Sequence, residues 1–190
     1  MANFYTVEKE IRGKKYIAQF NGISAALDAI DNSYIDGTGI TSSEKIANHL
    51  FSNVLVEPKM SIADFAKEKI GETTEKEING KKYVAQFKGI PFAVKALDNS
   101  YVENTSNTSV KKISDLLLKE VIVEPENLGI DDFETMDELN EVVSFAKEAM
   151  QGGELMNEFN EIIDFLRKVM EGKFRREAKD ESTAKKKGTK

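Results

Sequence analysis

Residues 10–20, Glu-Ile-Arg-Gly-Lys-Lys-Tyr-Ile-Ala-Gln-Phe, return as residues 77–87, Glu-Ile-Asn-Gly-Lys-Lys-Tyr-Val-Ala-Gln-Phe. A chain that repeats itself folds as repeated units, so this pair limits the architecture more than composition does. The match runs without a gap from residues 10–58 to residues 77–125, at an offset of 67, and roughly half of the positions are identical. The protein is a tandem duplication.

Each copy of the stretch reads as a β-hairpin. Ile78 and Lys81 bracket Asn79-Gly80, a dipeptide that accepts positive φ at both central positions of a type I′ turn, whose twist matches the strands it joins. Arg12-Gly13 holds the same place in the first copy. Beyond the turn, Tyr16, Ala18 and Phe20 alternate with their neighbours, as do Tyr83, Ala85 and Phe87. Each hairpin therefore offers a Tyr/Ala/Phe face to a core. Two strands are marginal alone, so helices must cover that face.

Two helical segments follow each hairpin. Gly22-Ile23-Ser24 opens one that carries Ala25, Ala26, Leu27, Ala29 and Ile30, and its counterpart opens Gly89-Ile90-Pro91, with proline in the first turn, where no N–H is needed. Both fade in Asp-Asn-Ser-Tyr, residues 31–34 and 98–101. A second helix starts near Thr41 or Ser42, with Glu44 in its first turn and Ile46, Ala47, Leu50 and Phe51 at helical spacing. The second copy matches it with Ile113, Leu116, Leu117 and Val121. Both are expected to end at Glu57-Pro58 and Glu124-Pro125, because proline pushes the preceding residue out of the α region.

Past those prolines the copies diverge. Ser61-Ile62-Ala63-Asp64-Phe65 runs through a short charged stretch into the next hairpin, whereas Ile130-Asp131-Asp132-Phe133 leads to a long helix. Its apolar stripe is Phe133, Met136, Leu139, Val142, Val143, Ala146 and Met150, and Gly152-Gly153 stops it. A near-copy follows at an offset of 20, residues 136–145 aligning with 156–165. So there are two hairpins, two helical pairs and two closing helices, with both closing helices last. The second closing helix, with Leu155, Phe159, Ile162, Ile163, Leu166, Val169 and Met170, is expected to cross back and complete the first copy, since each such side chain gains roughly 1.5 to 3 kcal/mol from burial. The predicted fold class is α+β. It comprises a first hairpin/helix module (residues 1–70), a second with its closing helix (71–153), the returning helix (154–172) and a disordered basic tail (173–190).

Composition narrows the chemistry. Cysteine is absent and His49 is the single histidine, so thiolate catalysis, disulfides and Cys-type zinc sites are excluded and no cofactor is expected. No apolar run reaches the length of a membrane span and no signal-peptide pattern opens the chain, so a cytosolic protein is expected. The net charge is −6, but residues 173–190 hold eight Lys or Arg against three acids, which leaves −11 on the rest. Such an acidic body is a poor nucleic-acid binder. A module of about 65 residues buries only roughly 60 % of its unfolded surface, so the copies are expected to pack on each other or on further subunits.

Individual motifs lead to plain readings. His49 has no partner in sequence reach, and Leu116 stands at its place in the second copy. Gly37-Thr38-Gly39 lacks the Gly-Lys-Ser/Thr of a phosphate loop. Asp31 to Gly37 fails as a calcium loop, with Ile35 and Ser42 where oxygen ligands belong. Asp31 and Asp98 read as ordinary helix-end chemistry. The stripes of the closing helices are either core or adaptable protein contacts; as contacts, their residues are Leu139, Val142, Val143, Met150, Phe159, Ile162, Ile163 and Leu166. The basic tail, without interleaved aromatics, reads as solubilising, with a regulatory nucleic-acid-binding protein as the alternative.

Taken together, several patterns resemble the small tail assembly chaperones of long-tailed bacteriophages and prophages of Gram-positive hosts. They are the Glu-Ile-x-Gly-Lys-Lys-Tyr-x-Ala-Gln-Phe hairpin, a second helix closing in Val-x-Val-Glu-Pro (residues 54–58 and 121–125), Asp-Asp-Phe-Glu (131–134) and the helix Asn-Glu-Val-Val-Ser-Phe-Ala (140–146). The ending Val-Met-Glu-Gly-Lys-Phe-Arg-Arg (169–176) with its Lys-rich tail also fits. The resemblance implies a non-enzymatic protein that binds the tape measure protein, keeps it soluble and helps recruit tail tube subunits. It also implies a longer product made by frameshifting, for which Lys185, Lys186 and Lys187 would suit a slippery stretch. The duplication departs from the family pattern, and one chain then stands for two ordinary subunits.

Overall fold

A computed structural model describes residues 4–102, 105 and 107–174. Each copy contributes a three-stranded antiparallel sheet. The first holds β1 (Tyr5–Ile11), β2 (Lys14–Phe20) and β3 (Leu55–Glu57); the second holds β4 (Thr73–Ile78), β5 (Lys81–Gln86) and β6 (Ile122–Glu124). Both hairpin turns have positive φ at their two central residues, 49° and 78° at Arg12 and Gly13 and 51° and 75° at Asn79 and Gly80. That is the type I′ geometry, and Gly13 and Gly80 take it without a Cβ penalty. Diagonal pairs across the strands, Lys15 to Glu8 at 2.7 Å and Lys82 to Glu75 at 2.9 Å, lie on the exposed face.

The third strands correct the sequence reading. The second helix does not run to the Glu-Pro dipeptides. After α2 (Ser43–His49) a π-helical turn over Leu50–Val54 releases the chain into β3, which pairs with β2 through Ala18↔Leu55 and Ile17↔Glu57. In the second copy α4 (Val110–Glu120) gives way to β6 after the single turn residue Val121, without a π-helical turn, and β6 pairs with β5 through Ala85↔Ile122 and Val84↔Glu124. The Glu-Pro bonds that follow are cis in both copies. The middle strand of each sheet is thus flanked on both sides, and Tyr16, Ala18, Phe20, Tyr83, Ala85 and Phe87 are all buried.

The helices α1 (Ile23–Asp31) and α3 (Ile90–Asn99) follow the hairpins, and α5 (Met136–Gln151) and α6 (Glu154–Met170) close the chain. Helix α5 covers β4 and β5 and packs on α3 and α4, while α6 covers β1, β2 and the π turn of the first copy. The chain crosses over between them at Gly152, whose φ of 61° is left-handed and whose hydrogen lies where a Cβ would come 2.8 Å from the Phe87 ring. Phe159 of α6 stacks on Phe51 at 5.8 Å and meets Phe65 at 5.6 Å, both of the first copy.

The two modules join where α3 of the second lies against α2 of the first. Asp98, near the end of α3, accepts hydrogen bonds from Ser42 Oγ at 2.6 Å and from the Ser43 and Glu44 N–H groups, both at 2.9 Å. A carboxylate from one copy therefore caps the exposed donors of a helix in the other. Buried side chains of both modules form one continuous cluster. None of the described helices is long and apolar enough to cross a membrane.

Candidate partner-binding surface

The stripe residues singled out as partner contacts lie mostly in the core. Leu139, Val142, Met150, Phe159, Ile162 and Leu166 are buried, and Val143 and Ile163 are half-buried. Helical periodicity marks a face that needs an apolar cover, and here the cover is the chain's own sheets and short helices. These side chains hold each module closed, and of the eight only Val143 and Ile163 keep part of their surface exposed. Met136, read as part of the same stripe, points out to solvent because α5 begins only there, capped by the Thr135 hydroxyl accepting from Glu138 N–H. Lys185, Lys186 and Lys187 lie outside the described residues.

Polar contacts bolt the closing helices to the hairpins. Glu138 is buried and accepts from Lys81 Nζ at 3.0 Å and from the Tyr83 hydroxyl at 3.2 Å. In the first module Glu158, at the equivalent helix position, pairs with Lys14 at 3.1 Å beside the buried Tyr16. Burial raises both phenols, and the hydrogen bond from Tyr83 to Glu138 adds to the effect there. Arg12 at the first hairpin turn reaches α6 with two arms, to Glu154 and to Glu161, each at 2.9 Å. Its hydrogen bond holds the Glu154 carboxyl below the usual range. Sequence reasoning missed these pairs. The signal was available, since Lys14 and Lys81 recur at one repeat offset and Glu158 and Glu138 at the other.

An open groove of about 550 Å³ lies where the second hairpin meets the α5–α6 turn. Phe87, Phe145 and Leu155 form its apolar floor, and Glu72, Glu148 and Glu154 stand around it with Lys69. Such a mixture admits an apolar side chain from a helix and favours basic residues beside it. A smaller hollow of about 170 Å³ lies under His49, between Asn21, Ala26 and Met170. The imidazole is 3.3 Å from the Asn53 side-chain amide, and burial lowers its pKa. Neither a carboxylate nor a nucleophile lines that hollow. Among the described residues no three His, Asp or Glu side chains come together as a metal site.

Compared with protein families, with curated proteins and with solved structures, the chain matches none.

Proposed function

We propose that this protein is a non-enzymatic tail assembly chaperone that binds the tape measure protein and helps recruit tail tube subunits. The observation that carries the reading is the groove between the second hairpin and the α5–α6 turn, with its apolar floor and a rim of Glu148, of Glu72 paired with Lys69 and of Glu154 paired with Arg12. A long helical partner with apolar residues at one helical face and basic residues beside them fits that chemistry by helix-in-groove docking. The −11 charge of residues 1–172 favours the same kind of partner. Shallow, repeated contacts of this type release when a growing tube competes for the same helix. The hairpin, Val-x-Val-Glu-Pro and Asn-Glu-Val-Val-Ser-Phe-Ala patterns add to it.

The test is co-expression with the long helix-rich protein encoded just downstream in the native DNA. The expected result is that this partner stays soluble only in company and co-elutes, and that Ala149→Glu in the groove abolishes both effects. A partner that neither binds nor gains solubility overturns the reading. Salt-sensitive retention on DNA through residues 173–190 would then favour the regulatory alternative.

A further inference from the structure

The groove beside the second hairpin has a counterpart in the first module, and there the chain fills it with its own side chains. Gly172 follows α6 as Gly152 follows α5, with φ of 70° and 61°, and a Cβ on either would press on the equivalent ring, Phe20 at 3.2 Å or Phe87 at 2.8 Å. From this shared corner the modules compare residue by residue. In the first, Tyr5 stacks on Phe20 with ring centroids 5.0 Å apart, and Phe174 stands edge-on to Phe165 at 5.8 Å. In the second, Glu72 lies opposite Phe87 in the place of Tyr5, and Glu154 holds the place of Phe174. Both carboxylates are exposed and pair with cations, Lys69 and Arg12. Among the described residues no ring stacks on Phe87 or Phe145. An open space of about 550 Å³ takes the site that the two rings have in the first module. At its wall Ala149 is half-buried, whereas its counterpart Val169 is fully buried.

Charge changes at the same place. Glu148 on α5 stands where α6 has Lys168, and Ser144 where α6 has Asp164. Lys168 pairs with Asp164 at 2.8 Å. Glu148 is exposed and makes no ion pair among the described residues. Between the copies, two rings and an ammonium have thus been exchanged for three carboxylates around an apolar floor. Charge on the rim keeps such a corner wetted without closing it. The floor suits a flat apolar ring, and the unpaired carboxylate suits a cation that arrives with it.

We propose that this groove takes an aromatic side chain of a client protein, presented on a helix with an arginine or lysine about one turn away. The ring lies over Phe87 and Phe145 as Tyr5 and Phe174 lie over Phe20 and Phe165, and the cation reaches Glu148. The first module is filled by its own residues and does not compete, so one chain takes one such anchor. The inference rests on the same groove as the function proposed above, but its test needs no tape measure protein.

The chain has no tryptophan, so a tryptophan in a peptide reports its own burial. The probe is an alanine-rich helical peptide of about 16 residues with tryptophan and arginine one turn apart. Added to the full chain, it is expected to bind at a single site with its emission shifted to the blue. Glu72→Tyr installs the ring that fills the first module and weakens binding about tenfold or more. Glu148→Lys installs the residue of α6 and weakens it about threefold, with a smaller dependence on salt. Both positions are exposed, so both variants keep the fold, which circular dichroism checks. No spectral shift at the highest attainable concentration, a variant that binds like the wild type, or equal competition by the peptide with serine in place of tryptophan would each overturn the proposal. Co-elution of the tape measure protein without peptide binding sinks this inference alone, and peptide binding without co-elution sinks the proposed function alone.

Discussion

Phe159 stacks on Phe51 with ring centroids 5.8 Å apart, so the last described helix closes the core of the first module. Truncating Phe159 to alanine removes a buried ring that also meets Phe65. The expected cost is about 3 to 5 kcal/mol, the range for a large core aromatic. Urea unfolding followed through the first module checks it, and a loss below about 1 kcal/mol would contradict the packing described.

Gly152→Ala forces a Cβ into left-handed backbone and against the Phe87 ring, 2.8 Å away. Both strains act together, so a destabilisation of about 1 to 3 kcal/mol is expected. The midpoint of denaturant unfolding reports it, with an unchanged m-value if the folded state is otherwise kept.

Asp98→Ala removes three hydrogen bonds to the start of α2. Loss of such a cap costs about 0.5 to 2 kcal/mol. Asp31→Ala, at the counterpart position on exposed α1, is expected to change monomer stability by less than about 0.5 kcal/mol. Thermal unfolding of both variants in dilute solution separates the two cases.

Glu138→Leu strands the buried Tyr83 hydroxyl while leaving Lys81 in water. The single change is expected to cost about 1 to 3 kcal/mol. Adding Tyr83→Phe removes the orphaned group, so the double variant is more stable than the two single losses predict. A double-mutant cycle that closes to zero would rule out the coupling.

His49 is held below its ordinary pKa by burial. The unfolded chain therefore takes up this proton first, and stability is complete above the unfolded value of about 6.5. It falls as the pH drops from there toward the lower folded value. His49→Leu, which installs the residue found at position 116, is expected to flatten the stability curve in that window. An identical slope for both proteins between neutral and mildly acidic pH would refute this.

The hairpins, the helix pairs and the Gly152 stop were legible because each rests on local chemistry: a turn dipeptide, a helical period, a residue free to take positive φ. The strands β3 and β6 were not. Leu55-Val56-Glu57 and Ile122-Val123-Glu124 are three residues long and follow a helical turn without a break signal, so their apolar residues read as the tail of that helix. What makes them strands is the open edge of β2 or β5 beside them, which no local pattern records. That most of the closing stripes lie in the chain's own core was not legible for a related reason. Periodicity shows that Leu139 or Ile162 must be covered, and says nothing about whether the cover comes from the same chain. Glu138 shows the opposite failure: its charge argues for the surface, and only the fold brings Lys81 and Tyr83 to it.

The crossing at Gly152 also sets an order of events during synthesis. Helix α5 follows its own hairpin directly, so the second module holds all its parts as soon as that helix has left the ribosome. The first module, made earlier, must wait with Phe51 and Phe65 uncovered until α6 emerges. A chain cut short after Gly153 would carry that open core permanently and be the kind of product that cellular proteases remove. The N-terminal half thus becomes a sensor of whether the far end has been made.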